Sequence, residues 1–222
     1  MLELKSFKDK HKGEVIYVFG SGPTCDYIPS SFVDGKITVG TNQTWRKYNT
    51  NYVVRKEHNL LQKTLDEYDN VVLVSRGNCG GTDPSKLIDI TKYHKTDNLC
   101  VYNHLSNGLS TIDMNCFEKE LTLCVSWSTI TTSMHFAFYL GARNIFLVGV
   151  DHGTLDGLST FKGYYKDESE ISGNSLTGYN NWLKKIEEQT ITLRNKLVSL
   201  GTNVYSINPF TSLKLEGHKY EQ

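Results

Sequence analysis

The 222-residue chain lacks an excess of charge of either sign, because 24 Lys and Arg balance 24 Asp and Glu. No global field then draws it to nucleic acid or to an anionic membrane, although local basic patches stay compatible with that balance. Long apolar runs are absent as well. The longest, near residues 15–19 and 145–150, fall far short of the roughly 20 residues that span a bilayer. The opening MLELKSFKDKHKGE has no apolar core of the kind a secretory leader needs. A cytoplasmic location follows as the expectation, with residues 1–13 a polar, frayed lead-in. Five cysteines (Cys25, Cys79, Cys100, Cys116, Cys124) include no CxxC pair, and their number is odd. That speaks for a reducing compartment and against both a disulfide framework and a zinc knuckle, so the thiols read as buried small hydrophobes. Neither HxxxH nor HExxH occurs, and no metal site is expected. A GxSxG elbow for a hydrolase triad is missing too. With no repeat, low-complexity tract or Pro-rich linker, residues 1–222 read as a single domain.

What is present is an alternation of strand and helix patterns. Val15, Ile16, Tyr17, Val18 and Phe19 form a short apolar run that stops at Gly20, Ser21, Gly22 and Pro23, the pattern of a strand buried on both faces. Further strands are expected at 37–39, 51–55, 71–74, 99–102, 121–125, 143–151 and 203–207. Helices are expected at 59–68, at 86–93 (short), at 130–140 and from 177 or 178 to 200. The helix at 130–140 has Ser and Thr before it and Gly141 after it, the residues of an N-cap and a C-cap. These patterns predict an α/β fold, a Rossmann-like domain with a mainly parallel sheet flanked by helices. Ligands of such sheets bind beyond the C-terminal ends of the strands.

Three constellations fall at those ends. Gly20, Ser21, Gly22 and Thr24 form a loop whose backbone N–H groups suit phosphate oxygens, with a purely structural tight turn as the alternative. The loop is neither GxGxxG nor Walker A. Asn42 and Gln43 close the second strand with amides that can read a base edge or a ribose hydroxyl, or else cap a turn. Asp151 and His152 close the strand at 143–151 and could serve as metal ligand, base or ribose contact; the alternative has Asp151 capping a neighbouring turn and His152 exposed. Glu57 and His58 end the third strand in the same way. His135, in an apolar helix, reads as a satisfied core residue. Residues 154–178, rich in Gly and carrying Tyr164 and Tyr165, read as a functional lid within the domain.

Taken together, the segments VIYVFGSGPT (15–24), Thr41-Asn42-Gln43 and the run from Ser128 through LGARNIFLVGVD (140–151) resemble the bacterial lipooligosaccharide sialyltransferases that use CMP-sialic acid. They are also similar to the wider Rossmann-like group containing hydroxymethylpterin pyrophosphokinase and the motility accessory (flagellin glycosylation) factors. The resemblance implies a glycosyltransferase that moves sialic acid or a similar CMP-linked sugar from a nucleotide-sugar donor to a glycan acceptor. It needs no cofactor, and its partners include no nucleic acid and no membrane span, with room for a homo-oligomer. By the same resemblance Gly20, Ser21, Gly22 and Thr24 would wrap the phosphates. Asn42, Gln43, Ser128 and Thr129 would hold the nucleoside, Asp151 would lie in the cleft, and Tyr164 or Tyr165 would assist the departing phosphate. The family's basic His falls at Asn174 here, and an amide cannot take a proton. His152 is therefore the candidate base. Two other readings stay open: an ATP- and Mg-dependent pyrophosphokinase with Asp151 and Glu57 on the metal, and a nucleotide- or sugar-binding module that has lost its base.

Overall fold

Seven short runs rich in Val, Ile, Leu and aromatic residues pair into one parallel sheet: β1 Val15–Phe19, β2 Ile37–Thr41, β3 Tyr52–Arg55, β4 Val71–Ser75, β5 Leu99–Tyr102, β6 Asn144–Val148 and β7 Asn203–Ser206. The computed structural model describes residues 1–78, 84–105, 112–166 and 176–207, and the side chains of 176–182 are not included. Strand order is β5-β4-β3-β2-β1-β6-β7. The chain therefore winds outward from β1 to β5, returns to the other side of β1 for β6, and winds outward again. A doubly wound α/β sheet results, with its switch point between β1 and β6.

Burial on both faces explains why the strands read as continuous apolar runs. Ile16, Val18, Val39, Val54, Leu73, Ile145 and Leu147 point to one face, where α2 (Thr129–Tyr139) packs on β1, β2, β3 and β6 and α3 (Leu176–Ser199) packs on α2 and β7. On the other face, Val53, Val72 and Val74 meet Leu61 and Leu65 of α1 (Leu61–Glu67). Phe19 and Val148 meet Tyr48, Phe161 and Tyr164 on that side. α2 is buried nearly all round, and its Thr131, Thr132 and Ser133 are as enclosed as its Phe136. The hydroxyls of Thr131 and Ser133 donate back to the carbonyls of Ser128 and Thr129, 2.8 and 3.3 Å away, which makes them tolerable in the core. No helix among the described residues is long and apolar enough to cross a membrane.

Three expectations are corrected. Residues 1–13 are not frayed: Leu2 N–H donates to Leu99 O at 2.7 Å, and Leu4 and Phe7 lie in the core. The lysines around them mask that spacing when the segment is read by composition. The Phe7 ring stands edge-on to Tyr52 and Phe136, with centroids 5.8 and 5.9 Å away. Residues 121–125 form no strand, because Leu121 adopts φ +60° and only Thr122 makes a bridge, to Asn103. Leu123 N–H donates to Asn103 O at 2.9 Å as part of that single bridge, and Leu123, Cys124 and Val125 run on, buried, as an extended entry to α2. Finally, 86–93 holds no continuous helix, only the single 3-10 turns Pro84–Lys86 and Ile90–Lys92.

Replacing Phe7 by Ala should cost about 3–5 kcal/mol, the usual range for emptying a buried Phe site. Urea unfolding measures it, and a loss below about 1 kcal/mol would return residues 1–13 to the periphery.

Candidate active site at the sheet switch point

The glycine loop after β1 is built to bring two strand ends together. Gly20 N–H donates to Val148 O and Gly22 N–H to Gly149 O, both at 2.8 Å. A Cβ on Gly20 would stand 2.5 Å from Gly149 O, and one on Gly22 would overlap the Asp151 carboxylate. Gly149 has φ +61°, and a Cβ there would overlap Cys25 Sγ. Asp151 is buried and accepts both the Thr24 N–H, at 2.7 Å, and the Thr24 hydroxyl, at 2.5 Å. It caps the first turn of Pro23–Tyr27. Of the two readings of this loop, the tight structural turn matches the geometry, since the N–H donors of Gly20, Gly22 and Thr24 are already engaged. Ser21 O accepts from Phe161 N–H at 2.9 Å, while Ser21 N–H makes no hydrogen bond among the described residues.

Around this latch the sequence-predicted polar groups do converge. Asn42 follows β2 with φ +48°, a left-handed backbone that Asn tolerates better than most residues. Its N–H donates to Val54 O at 2.9 Å, and its amide Nδ2 reaches Thr129 Oγ1 at 3.4 Å. Thr129 is the first residue of α2, and Ser128 caps that helix by accepting Ile130 N–H at 3.3 Å. Gln43 is buried beside them. Tyr164 comes down on this group from the far side. Burial raises its phenol pKa against the opposing pull of the Asn42 side chain, the Arg55 charge, the Gln43 backbone and the Ser21 side chain. Arg46 Nη1 holds the Tyr164 carbonyl at 2.8 Å, and Tyr165 stands edge-on to the Tyr164 ring, centroids 4.7 Å apart. Within the described part of the expected lid, Phe161 and Tyr164 are buried, whereas Thr154, Asp156, Gly157 and Leu158 are exposed. Residues 167–175, Asn174 among them, lie outside the described residues.

His152 has φ +46°, and its Nε2 is enclosed with no hydrogen-bond partner among the described residues. Burial lowers the imidazole pKa to about 4, so the ring is neutral at pH 7. It is thus not the exposed side chain of the alternative reading.

Sequence reasoning missed the cations at the end of β3. Lys56 is buried, and its ammonium donates to Ser126 O at 3.0 Å and Trp127 O at 2.8 Å. It thereby ties β3 to the turn that presents Ser128 and Thr129. Arg55, 1 % exposed, donates to Asn59 O at 2.5 Å and Thr64 Oγ1 at 3.3 Å. Burial lowers its pKa to about 10, which still leaves it charged at neutral pH. The available signal was a pair of basic residues ending a fully apolar strand at the ligand-facing edge. His58, singled out with Glu57, has a structural task instead: its Nε2 lies 2.8 Å from Ser75 O, and its N–H donates to Asn78 Oδ1 at 3.0 Å.

No family model matches the chain, and no curated protein matches it. Solved structures do. The sialyltransferase CST-II in complex with trisaccharide acceptor and CMP is 12% identical with a TM-score of 0.51, over 90% of this chain and 83% of that one. The sialyltransferase CstII from Campylobacter jejuni in complex with cytidine-5'-monophosphate is 14% identical with a TM-score of 0.52, over 91% and 83%. At this identity the likeness establishes the shared α/β fold.

Thr24→Val removes the hydroxyl donor to a buried carboxylate and should cost about 1–3 kcal/mol. Unfolding by urea reads the loss; an unchanged midpoint would mean that Asp151 does not depend on the Thr24 hydroxyl.

Proposed function

We propose that this protein is a glycosyltransferase that moves a sugar from a nucleotide-activated donor, CMP-linked and of the sialic acid kind, onto a glycan acceptor. The observation that carries the reading is the convergence of Asn42, Thr129, Ser128 and Tyr164 at the switch point of the sheet. That edge is where doubly wound folds bind nucleotides, and the fold is shared with sialyltransferase structures that contain CMP. Asn42 and the hydroxyls of Ser128 and Thr129 hold the nucleoside. The Ser21 N–H, which makes no hydrogen bond among the described residues, and the hydroxyls of Tyr164 and Tyr165 donate to the leaving phosphate. The acceptor hydroxyl oxygen bonds to the anomeric carbon as the bond from that carbon to the phosphate oxygen breaks. The hydroxyl proton passes to His152 Nε2, which is enclosed in the free protein and has to be uncovered for the acceptor to reach it, and the nucleotide leaves with the electron pair. Donors fixed in place and aimed at the departing charge stabilise the transition state more than any other device such a site can offer.

A base is most effective with a pKa near the working pH, and His152 lies well below that without ligand. The negative charges of a bound donor favour imidazolium and shift the pKa upward. Below the folded pKa the ring is protonated and cannot accept a proton, so the acid limb of activity follows this group.

The pyrophosphokinase reading asks Asp151 to hold magnesium, whereas its carboxylate faces Thr24. A CMP-induced rise in melting temperature that ignores magnesium supports the glycosyltransferase. A magnesium-dependent shift with ATP would favour the pyrophosphokinase, and CMP binding without donor hydrolysis would favour a binding module.

Asn42→Ala should weaken CMP binding about tenfold, or about 1.4 kcal/mol, and should also destabilise the free protein by about 1 kcal/mol, because Ala tolerates the left-handed backbone at φ +48° less well than Asn. Unchanged affinity in calorimetry would remove Asn42 from the site. By NMR titration, the His152 pKa should climb from about 4 when CMP is added; a value indifferent to CMP would exclude this ring as the base.

A further inference from the structure

Cys116, Cys124 and His135 meet in the core although they come from three separate elements. Cys116 lies on the 3-10 turn Met114–Glu118, Cys124 in the extended segment that precedes α2, and His135 within α2. All three are buried, and their ligand atoms lie within 4.8 Å of one another. Cys116 Sγ stands 3.7 Å from His135 Nδ1. Two ligands at zinc bond lengths of about 2.0–2.3 Å, set at a tetrahedral angle, stand roughly 3.5–3.8 Å apart. Phe117 stacks on the His135 ring, with centroids 4.1 Å apart, and Cys124 N–H donates to His135 Nδ1 at 2.9 Å. The stacking fixes the plane of the imidazole, while the Cys124 N–H occupies Nδ1 and has to be displaced for an ion to bind there.

A cavity of about 370 Å³ adjoins Cys116 and His135. It also borders Gly141, Ala142 and Thr202, which precede β6 and β7. It therefore opens at the N-terminal edge of the sheet, away from the switch-point site. CxxC or HxxxH spacing could not reveal this group, because the fold and not the local sequence brings the three side chains together.

We propose that Cys116, Cys124 and His135 form a zinc site of two thiolates and one imidazole, with its fourth position toward the adjoining cavity. Zn²⁺ cancels the charge of two thiolates, so the loaded site leaves no net charge in the core. The ion takes the Nδ1 lone pair that now accepts the Cys124 N–H. Binding releases the two thiol protons, so affinity falls as the pH is lowered. By joining the turn at 114–118 to α2, the ion would brace the helix whose N-terminus carries Ser128 and Thr129.

The test uses the full chain, reduced, stripped with a chelator and then titrated with Co²⁺ and Zn²⁺. One zinc per chain by elemental analysis and a thiolate-to-cobalt charge-transfer band are expected. Cys116→Ser should lower zinc affinity about 100-fold or more, while Cys100→Ser, in β5, should leave it unchanged. Should Cys116→Ser fail to fold, the cobalt spectrum of the wild-type chain decides alone. A folded wild-type chain with no charge-transfer band would overturn the site, as would zinc binding indifferent to Cys116→Ser. A disulfide between Cys116 and Cys124 that gives no cobalt band after reduction would also overturn it and make the pair a redox couple.

Discussion

The buried bond between Asp151 and Thr24 holds the site together. It spans the switch point, joining the end of β6 to the turn after β1, and it offers a buried carboxylate two donors. The glycines at 20, 22 and 149 are the condition for that approach, since a side chain at any of them would strike the facing strand end or Cys25. With the latch closed, the Ser21 carbonyl accepts Phe161 N–H and Tyr164 packs against Asn42, which in turn reaches Thr129. The glycine loop thus contributes mainly by shaping this edge of the sheet.

A second constraint comes from buried positive charge. Lys56 and Arg55 end β3 inside the protein and are held by carbonyls and a hydroxyl. Carbonyl dipoles satisfy the hydrogen-bonding geometry of a cation without cancelling its charge. Lys56 fixes the turn that presents Ser128 and Thr129 against the end of β3.

The two edges of the sheet hold different chemistry. The C-terminal edge gathers amides, hydroxyls and cations. Near the opposite edge lie two thiols and an imidazole, aligned by α2 and by a turn that packs under it. α2 serves both, with its N-cap in one region and His135 in the other.

Periodicity and punctuation in the sequence were enough for the seven strands of the sheet, for α2 with its Ser128 cap, and for the placement of Asn42 and Asp151 near strand ends, because burial on both faces writes itself as short apolar runs closed by Gly, Asn or Asp. Local pattern could not decide what those strand-end residues face. Asp151 turns inward to Thr24, His152 is enclosed, and residues 121–125 stay outside the sheet because Leu121 takes a left-handed backbone. Leu4 and Phe7 were hidden among lysines, since core membership depends on the partner surface and Phe7 finds its partners at Tyr52 and Phe136. Lys56 with the turn before α2, and Cys116 with Cys124 and His135, are groupings made by long-range packing. Only the tertiary structure, which sets distances between residues remote in the chain, could assemble them.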